Sequence, residues 1–222
     1  MRVIAVIPAF NEATRIAAVV RDATQYVETV VVVDDGSTDA TAAVARKAGA
    51  TVLTHLENSG AGAATMTGIE AARLLGADAV VTLDADEQHD AKEIPLVLAP
   101  ILEGKSDVVF ANRFGRRNQI PAIRRLFNFL GNNVSFFATG LWVADSQCGY
   151  KAFGPKAVRE LHLRMSGYEF CTEIVREAAR HRWRIAEVPV KVLYSEYSLA
   201  KGQSFARGIQ TALKILLRSF LR

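Results

Sequence analysis

Ala79-Val80-Val81-Thr82-Leu83-Asp84-Ala85-Asp86-Glu87-Gln88-His89 is an apolar run that stops at two carboxylates one residue apart. The run reads as a strand buried on both faces, and the carboxylates as the loop where that strand ends. Two such side chains on rigid backbone offer a hard cation adjacent oxygen ligands. Mg²⁺ and Mn²⁺ favour oxygen and leave positions open for water and phosphate. Gln88 adds a neutral oxygen, whereas His89 is a poorer ligand for a hard ion. Taken alone, an Asp-x-Asp reads equally well as two solvated loop residues, so the rest of the chain decides.

The pattern of strand, then acidic loop, occurs twice upstream. Residues 3–7 form an apolar run ending at Pro8, and Glu12 lies in the loop that follows. Asn11 is placed to cap the helix marked by Ile16, Val19 and Val20. Residues 30–33 run into Asp34-Asp35-Gly36-Ser37-Thr38-Asp39, with Ser37 or Thr38 as the next N-cap and Asp39 in the first turn. A short third strand covers 51–53. Asn58-Ser59-Gly60-Ala61-Gly62-Ala63-Ala64 leads into a small-residue helix reaching about Leu75. The fourth strand is 79–83 and the fifth 107–111, with Pro95 early in the helix between them.

This alternation argues for an α/β fold with right-handed crossovers and a mostly parallel central sheet covered by helices on both faces. Ligands of such sheets bind beyond the carboxyl ends of the strands. Glu12, Asp35 and Asp84 each follow a strand end, so all three are expected along one edge.

The second half is less regular. Residues 120–143 are apolar but interrupted by Asn128, Asn132 and Asn133, which suggests one or two amphipathic helices. A short strand at 149–153, a helix at 168–181 and a strand at 185–193 follow, and Pro189 marks the last as an edge. Ile209, Leu213, Leu216 and Phe220 recur at spacings of three and four, with Arg207, Lys214 and Arg218 largely opposite. Residues 205–222 therefore read as a basic amphipathic helix, suited to an anionic membrane surface or to the domain's own core.

Composition narrows the class. The 222 residues are half hydrophobic and carry a net charge of +4, which fits one large globular domain without a nucleic-acid-like basic excess. Two cysteines make no disulfide framework and suit a reducing, cytoplasmic setting. A strand beginning within two residues of Met1 leaves no room for a signal peptide. No 18-residue apolar run marks a certain transmembrane helix. A dinucleotide dehydrogenase is disfavoured, because no Gly-x-Gly-x-x-Gly follows the first strand.

Pro8-Ala9-Phe10-Asn11-Glu12, Asp34 to Asp39, Asn58-x-Gly60-x-Gly62-Ala63-Ala64 and Asp84-Ala85-Asp86-x-Gln88-His89, in this order and spacing, resemble family 2 glycosyltransferases of the GT-A fold. Within that family the chain looks most like the polyprenyl-phosphate sugar synthases, the dolichol-phosphate mannose synthase group. The resemblance covers residues 1 to about 115 and extends to blocks at 147–151 and 167–170; beyond Tyr194 it weakens. It implies one GT-A domain over 1–204, with a nucleotide-sugar half (1–115) and an acceptor half (116–204), before the helix at 205–222. It implies that Pro8, Phe10 and Glu12 hold the nucleoside and that Val33 and Asp35 meet base and ribose. Asp84, Asp86 and Gln88 would hold Mg²⁺ or Mn²⁺ against the donor diphosphate, with Ala85 beside it. Such a cation neutralises the charge that develops on a nucleoside-diphosphate leaving group.

Three departures stand out. Ala61 sits where the family commonly has lysine, so phosphate contact at that loop falls to backbone N–H groups or is absent. Glu87 replaces a small or apolar residue. The closing motif survives only as Lys201-Gly202-Gln203-Ser204-Phe205, with Lys201 the candidate for phosphate.

Arg113, Arg116, Arg117, Arg124 and Arg125 cluster within thirteen residues. Guanidinium groups match phosphate oxygens in pairs. Arg113 and Arg125 are expected on phosphate, Arg116 and Arg117 in solvent. An ionised phosphate oxygen attacks without a general base, whereas a hydroxyl acceptor needs one, and His89, Asp145 and Glu169 are the candidates. The expected reaction is inverting, metal-dependent transfer of mannose or glucose from a GDP- or UDP-sugar to a polyprenyl (dolichyl or undecaprenyl) phosphate. It would take place at the cytoplasmic face of a membrane, reached peripherally or through a separate anchoring subunit. The competing readings are a soluble saccharide or small phosphorylated acceptor, or a nucleotide-sugar-binding module without turnover.

Overall fold

The computed structural model describes residues 1–193; Lys201 and the amphipathic segment 205–222 lie outside the described residues. The chain runs β1 (Val3–Ala9), α1 (Ile16–Ala23), β2 (Thr29–Asp34), α2 (Thr41–Lys47), β3 (Thr51–Thr54), α3 (Ala61–Leu74) and β4 (Ala79–Thr82). A 3₁₀ turn (Ala91–Glu93) then leads into α4 (Ile94–Leu102), followed by β5 (Val108–Asn112) and α5 (Ala122–Thr139). The rest is β6 (Lys151–Phe153), α6 (Pro155–Glu160), α7 (Phe170–Arg180) and β7 (Ile185–Pro189). The strands form one sheet in the order β3-β2-β1-β4-β6-β5-β7. Every pairing is parallel except those of β6, which runs against both β4 and β5. Pro189 closes the outermost strand, where its missing N–H costs no ladder bond.

Each strand feeds two cores. Ala5, Ile7, Val30, Val32, Val81 and Val109 pack beneath the α1, α2 and α4 side. Ile4, Val6, Val31, Val33, Val80 and Phe110 pack beneath α3, α6 and α7. Alternate residues of one strand thus point to opposite layers, and both faces are apolar, which is why these runs carry no polar alternation. Each such Val, Ile or Leu contributes about 1.5–3 kcal/mol by burial.

Two expected helix caps are corrected. α1 begins at Ile16 with Arg15 before it, and α2 begins at Thr41 with Ala40 before it. Asn11, in left-handed backbone at φ 54°, instead accepts from the Thr38 N–H at 2.9 Å, while its own N–H donates to Ser37 Oγ at 2.9 Å. The caps were claimed by each other: the loop after β1 is laced to the loop after β2. Asp39 also lies before its helix, accepting from the Thr41 and Ala13 N–H groups. The apolar stretch at 120–143 holds one helix, α5. Asn132 does not interrupt it, because its side chain turns inward to Ala144 and Ser146.

Candidate active site

β1, β2, β4 and β5 point the same way, so Glu12, Asp35, Asp84 and Arg113 leave the sheet at one edge. β6 runs oppositely and enters there, bringing Gly149 beside the end of β4. Thr82 Oγ1 donates to the Gly149 carbonyl at 2.7 Å and ties the two together. The Asp84 carboxylate lies directly against Gly149: a Cβ on that residue would sit 2.3 Å from Asp84 Oδ1 and 2.6 Å from Oδ2. The Asp84 side chain nonetheless remains 42% exposed, so its oxygens are recessed but open. His89 Nε2 lies 3.1 Å from Asp84 Oδ2, with the imidazole itself buried against Tyr150. Asp86 accepts from the Gln88 N–H at 3.1 Å and from the Gln88 side-chain amide. Gln88 therefore presents nitrogen to Asp86, and a half-turn of the amide presents its oxygen instead.

The two aspartates are driven apart electrostatically. Burial pushes the Asp84 carboxyl upward, but the hydrogen bond and charge of His89, with the charges of Lys151 and Arg113, outweigh it and hold the group below the usual range. Burial and the Asp84 charge push the Asp86 carboxyl up. Burial would keep His89 neutral; Cys148 and Asp84 beside it prevail, and its pKa is pushed up to about 10. A carboxylate pair of which one member resists its own charge suits a hard cation. Among the described residues no group of three or more His, Cys, Asp and Glu side chains could hold a metal. With the Gln88 amide turned, Asp84, Asp86 and the Gln88 oxygen would be the protein's ligands to such an ion, the remaining positions falling to water and substrate phosphate. Gly149→Ala is expected to displace the Asp84 carboxylate and lower Mn²⁺ affinity about 10–100-fold, as loss of ligand support does elsewhere; titration calorimetry with Mn²⁺ and a nucleoside diphosphate checks this.

Phe10 is exposed at the end of β1, Pro8 is half-buried beside it, and Glu12 is buried, its N–H donating to Thr41 Oγ1 at 2.8 Å. Val33, expected at the base or ribose, is wholly buried in the core, its side chain under Gly68. Ala85 likewise belongs to the core. Asp35 faces inward. Its carboxylate accepts from the Ser59 and Gly60 N–H groups at 2.9 and 2.8 Å and meets His55 Nδ1 at 2.7 Å. It fastens the end of β2 to the start of α3 rather than standing open to a base or ribose.

The Gly60-x-Gly62 loop is no phosphate cradle either. The Gly62 and Ala63 N–H groups donate to the Ser166 carbonyl at 2.7 and 3.3 Å, and Asp35 takes Ser59 and Gly60. Gly60 sits at φ 98°, and a Cβ there would lie 2.4 Å from Ser166 O. The glycines admit the 165–167 backbone. Glu87, at φ 64°, reaches Arg15 at 3.6 Å and so bridges the Asp84–Gln88 loop to the loop after Glu12.

Arg113 follows β5 as expected but is buried in a bidentate pair with Asp145: Nε to Oδ2 and Nη2 to Oδ1, both 2.8 Å, plus its own N–H to Oδ2 at 2.9 Å. Arg116, expected in solvent, pairs with Glu93 at 2.7 Å. Arg117 and Arg125 are exposed, the latter on α5. Asp145 and His89 are each committed to a partner, and neither stands as a general base.

The family model "Glycosyl transferase family 2" matches residues 4–161. The chain belongs to glycosyl transferase family 2. It is similar to the UDP-N-acetylglucosamine–dolichyl-phosphate N-acetylglucosaminyltransferase of Methanococcus voltae, 32% identical over 235 residues, covering 96% of this chain and 94% of that protein. It is also similar to the undecaprenyl-phosphate mannosyltransferase of Micrococcus luteus, 28% identical over 215 residues, covering 90% of this chain and 87% of that one. Among solved structures it superposes on glucosyl-3-phosphoglycerate synthase of Mycobacterium tuberculosis in complex with UDP, with TM-score 0.74, 21% identity, and coverage of 98% of this chain and 80% of that one. That enzyme has also been crystallised with Mn²⁺ and UDP-glucose. The fold is GT-A, and the protein is a family 2 glycosyltransferase.

Gly149, Lys151 and His55 join the site's framework without having been singled out in the sequence, and Asp145, a general-base candidate there, is instead the partner of Arg113. Gly149 and Lys151 lay inside a block that fits the family, which was the available signal. For Asp145 and His55 no local pattern existed, since each acts on a residue far along the chain.

Proposed function

We propose that this glycosyltransferase moves a hexose from a nucleoside-diphosphate donor to a polyprenyl phosphate with help from Mg²⁺ or Mn²⁺. The observation that carries the reading is the likeness, over nearly the full length of both chains, to an enzyme named for a dolichyl-phosphate acceptor. The acidic edge supports it. Asp84, Asp86 and Gln88 would hold the cation, which when bound offsets the charge growing on the departing diphosphate. Gly149 and His89 orient Asp84 for that task, and Phe10 and Glu12 lie where the nucleoside would rest.

A phosphate acceptor arrives already ionised, so attack with inversion needs no side chain to take a proton. This agrees with the engagement of Asp145 and His89 elsewhere. Arg125, exposed on α5, would meet the acceptor phosphate, while Arg113 fixes the loop after β5. α5 exposes Ile123, Leu126, Phe129, Leu130 and Phe137, an apolar surface of the kind a lipid acceptor or a membrane would cover. Among the described residues no helix is long and apolar enough to cross a membrane, so contact through α5 would be peripheral.

The test is incubation with Mn²⁺ and, in turn, GDP-mannose, UDP-glucose and UDP-N-acetylglucosamine, offering a short polyprenyl phosphate or 3-phosphoglycerate. A lipid-linked sugar that EDTA abolishes is the expected product. No lipid-linked product with any donor, or transfer to phosphoglycerate alone, overturns the reading.

A further inference from the structure

Lys151 is almost wholly buried on the central antiparallel strand. Its ammonium donates to the Cys148 carbonyl, lies 3.7 Å from the Cys171 sulfur, and faces the Phe110 and Phe170 rings at 5.7 and 5.9 Å from their centroids. None of these neighbours carries a full negative charge; burial pushes the Cys171 thiol up, which keeps it protonated. An ammonium taken out of water with no carboxylate in contact costs several kcal/mol, and the ring faces return only part of that. A fold with no use for the charge would place methionine or leucine here.

The position indicates the use. Lys151 pairs in register with Thr82, two residues before Asp84, and Gly149, two residues before Lys151, is the residue the Asp84 carboxylate rests on. Lys151 is thus set deeper in the sheet than Gly149 and the Asp84 carboxylate resting on it, with its charge within reach of that carboxylate. We infer that Lys151 is a resident positive charge behind the cation site that keeps Asp84 and Asp86 from holding a divalent ion tightly until a nucleoside diphosphate is bound. The inference rests on the reading of Asp84 and Asp86 as the cation site and goes beyond it. The charge of the two carboxylates is already partly offset, so an ion alone gains little. The diphosphate brings fresh negative charge and oxygen ligands, and ion and donor then bind as a unit. Their coupling is reciprocal, each tightening the other. Lys151 touches no reacting atom in this scheme; it acts as a positioning residue through charge.

The experiment measures Mn²⁺ binding from the paramagnetic signal of the free ion, with and without UDP or GDP. Wild-type protein is expected to bind Mn²⁺ weakly alone and about tenfold or more tightly with the nucleotide. Lys151→Met should bind Mn²⁺ alone about tenfold more tightly, with the nucleotide adding correspondingly less. Lys151→Arg, which keeps the charge, should behave as wild type, and this separates charge from packing. Methionine matches the lysine stem in length and removes a buried charge, a change usually neutral or stabilising; Lys151→Gln serves as a second variant, with circular dichroism checking the fold of both. Unchanged or weaker Mn²⁺ binding by folded Lys151→Met or Lys151→Gln overturns the inference. Asp84→Asn is run alongside. If it loses Mn²⁺ while the Lys151 variants change nothing, only the role of Lys151 fails. If Asp84→Asn binds Mn²⁺ as wild type does, the cation site itself is misplaced.

Discussion

Asp86→Ala should lower kcat by about 10²–10⁴-fold, the loss expected when several kcal/mol of charge stabilisation by a cation disappears. Its thermal midpoint in EDTA should not fall. The sign follows from the carboxyl itself. Burial and the neighbouring Asp84 charge raise the folded pKa of Asp86 above the ordinary value. A carboxyl raised in this way favours the fold only while protonated, and that contribution fades as pH climbs through the raised pKa. Above that raised pKa the ionised Asp86 is a net cost to the metal-free protein, and alanine removes it. Asp84 has the opposite sign. His89, Lys151 and Arg113 overcome its burial and depress its folded pKa, so its contribution is present above the unfolded value and is lost as pH falls through the depressed one. Asp84→Asn should therefore reduce both turnover and the metal-free midpoint. Turnover with saturating Mn²⁺ and differential scanning fluorimetry in EDTA separate the two variants. Asp86→Ala turning over within tenfold of wild type would show that this carboxylate holds no catalytic cation.

What the sequence made legible here is what depends on local pattern. The doubly apolar runs at 3–7, 30–33 and 79–83 could only be central strands of a covered sheet, and placing an acidic residue after each fixes a common edge once the strands are parallel. The short antiparallel β6 was legible as a strand but not in its direction, because no periodicity encodes that. Direction is what carries Gly149 to Asp84. The same limit explains the caps. Asn11 and Ser37 have cap chemistry, and 26 residues separate them, but each found the other instead of its own helix. Sequence leaves Asp35 and the Gly60 loop open to ligand or fold, because carboxylates and glycines serve both equally well. Only the coordinates reveal that Ser166 and His55 had already claimed them.

Arg113 gives the sharpest contrast between those two uses, and it yields the largest expected change in stability. Arg113→Ala removes both guanidinium donors from Asp145, a carboxylate with no exposure to water and 32 residues away in sequence, and leaves it only the backbone N–H of residue 113. Leaving a buried charge unpaired costs about 3–5 kcal/mol. In a chain of this size that amounts to a fall of roughly 6–20 °C in thermal midpoint. Arg113→Lys should recover little, since an ammonium cannot reproduce the two parallel N–H···O bonds of the guanidinium. Removing both partners, as in Arg113→Met with Asp145→Leu, should be more stable than Arg113→Ala alone, because no charge is then stranded. A residue whose main task was to grip acceptor phosphate would behave otherwise: its loss would raise the acceptor KM and leave the midpoint nearly unchanged. Thermal melts beside acceptor KM values for the four proteins decide between these outcomes. A raised KM at an unchanged midpoint would return Arg113 to the acceptor. A collapsed midpoint, with lost activity tracking the unfolded fraction, would make the pair the pin that holds the loop after β5 against the site.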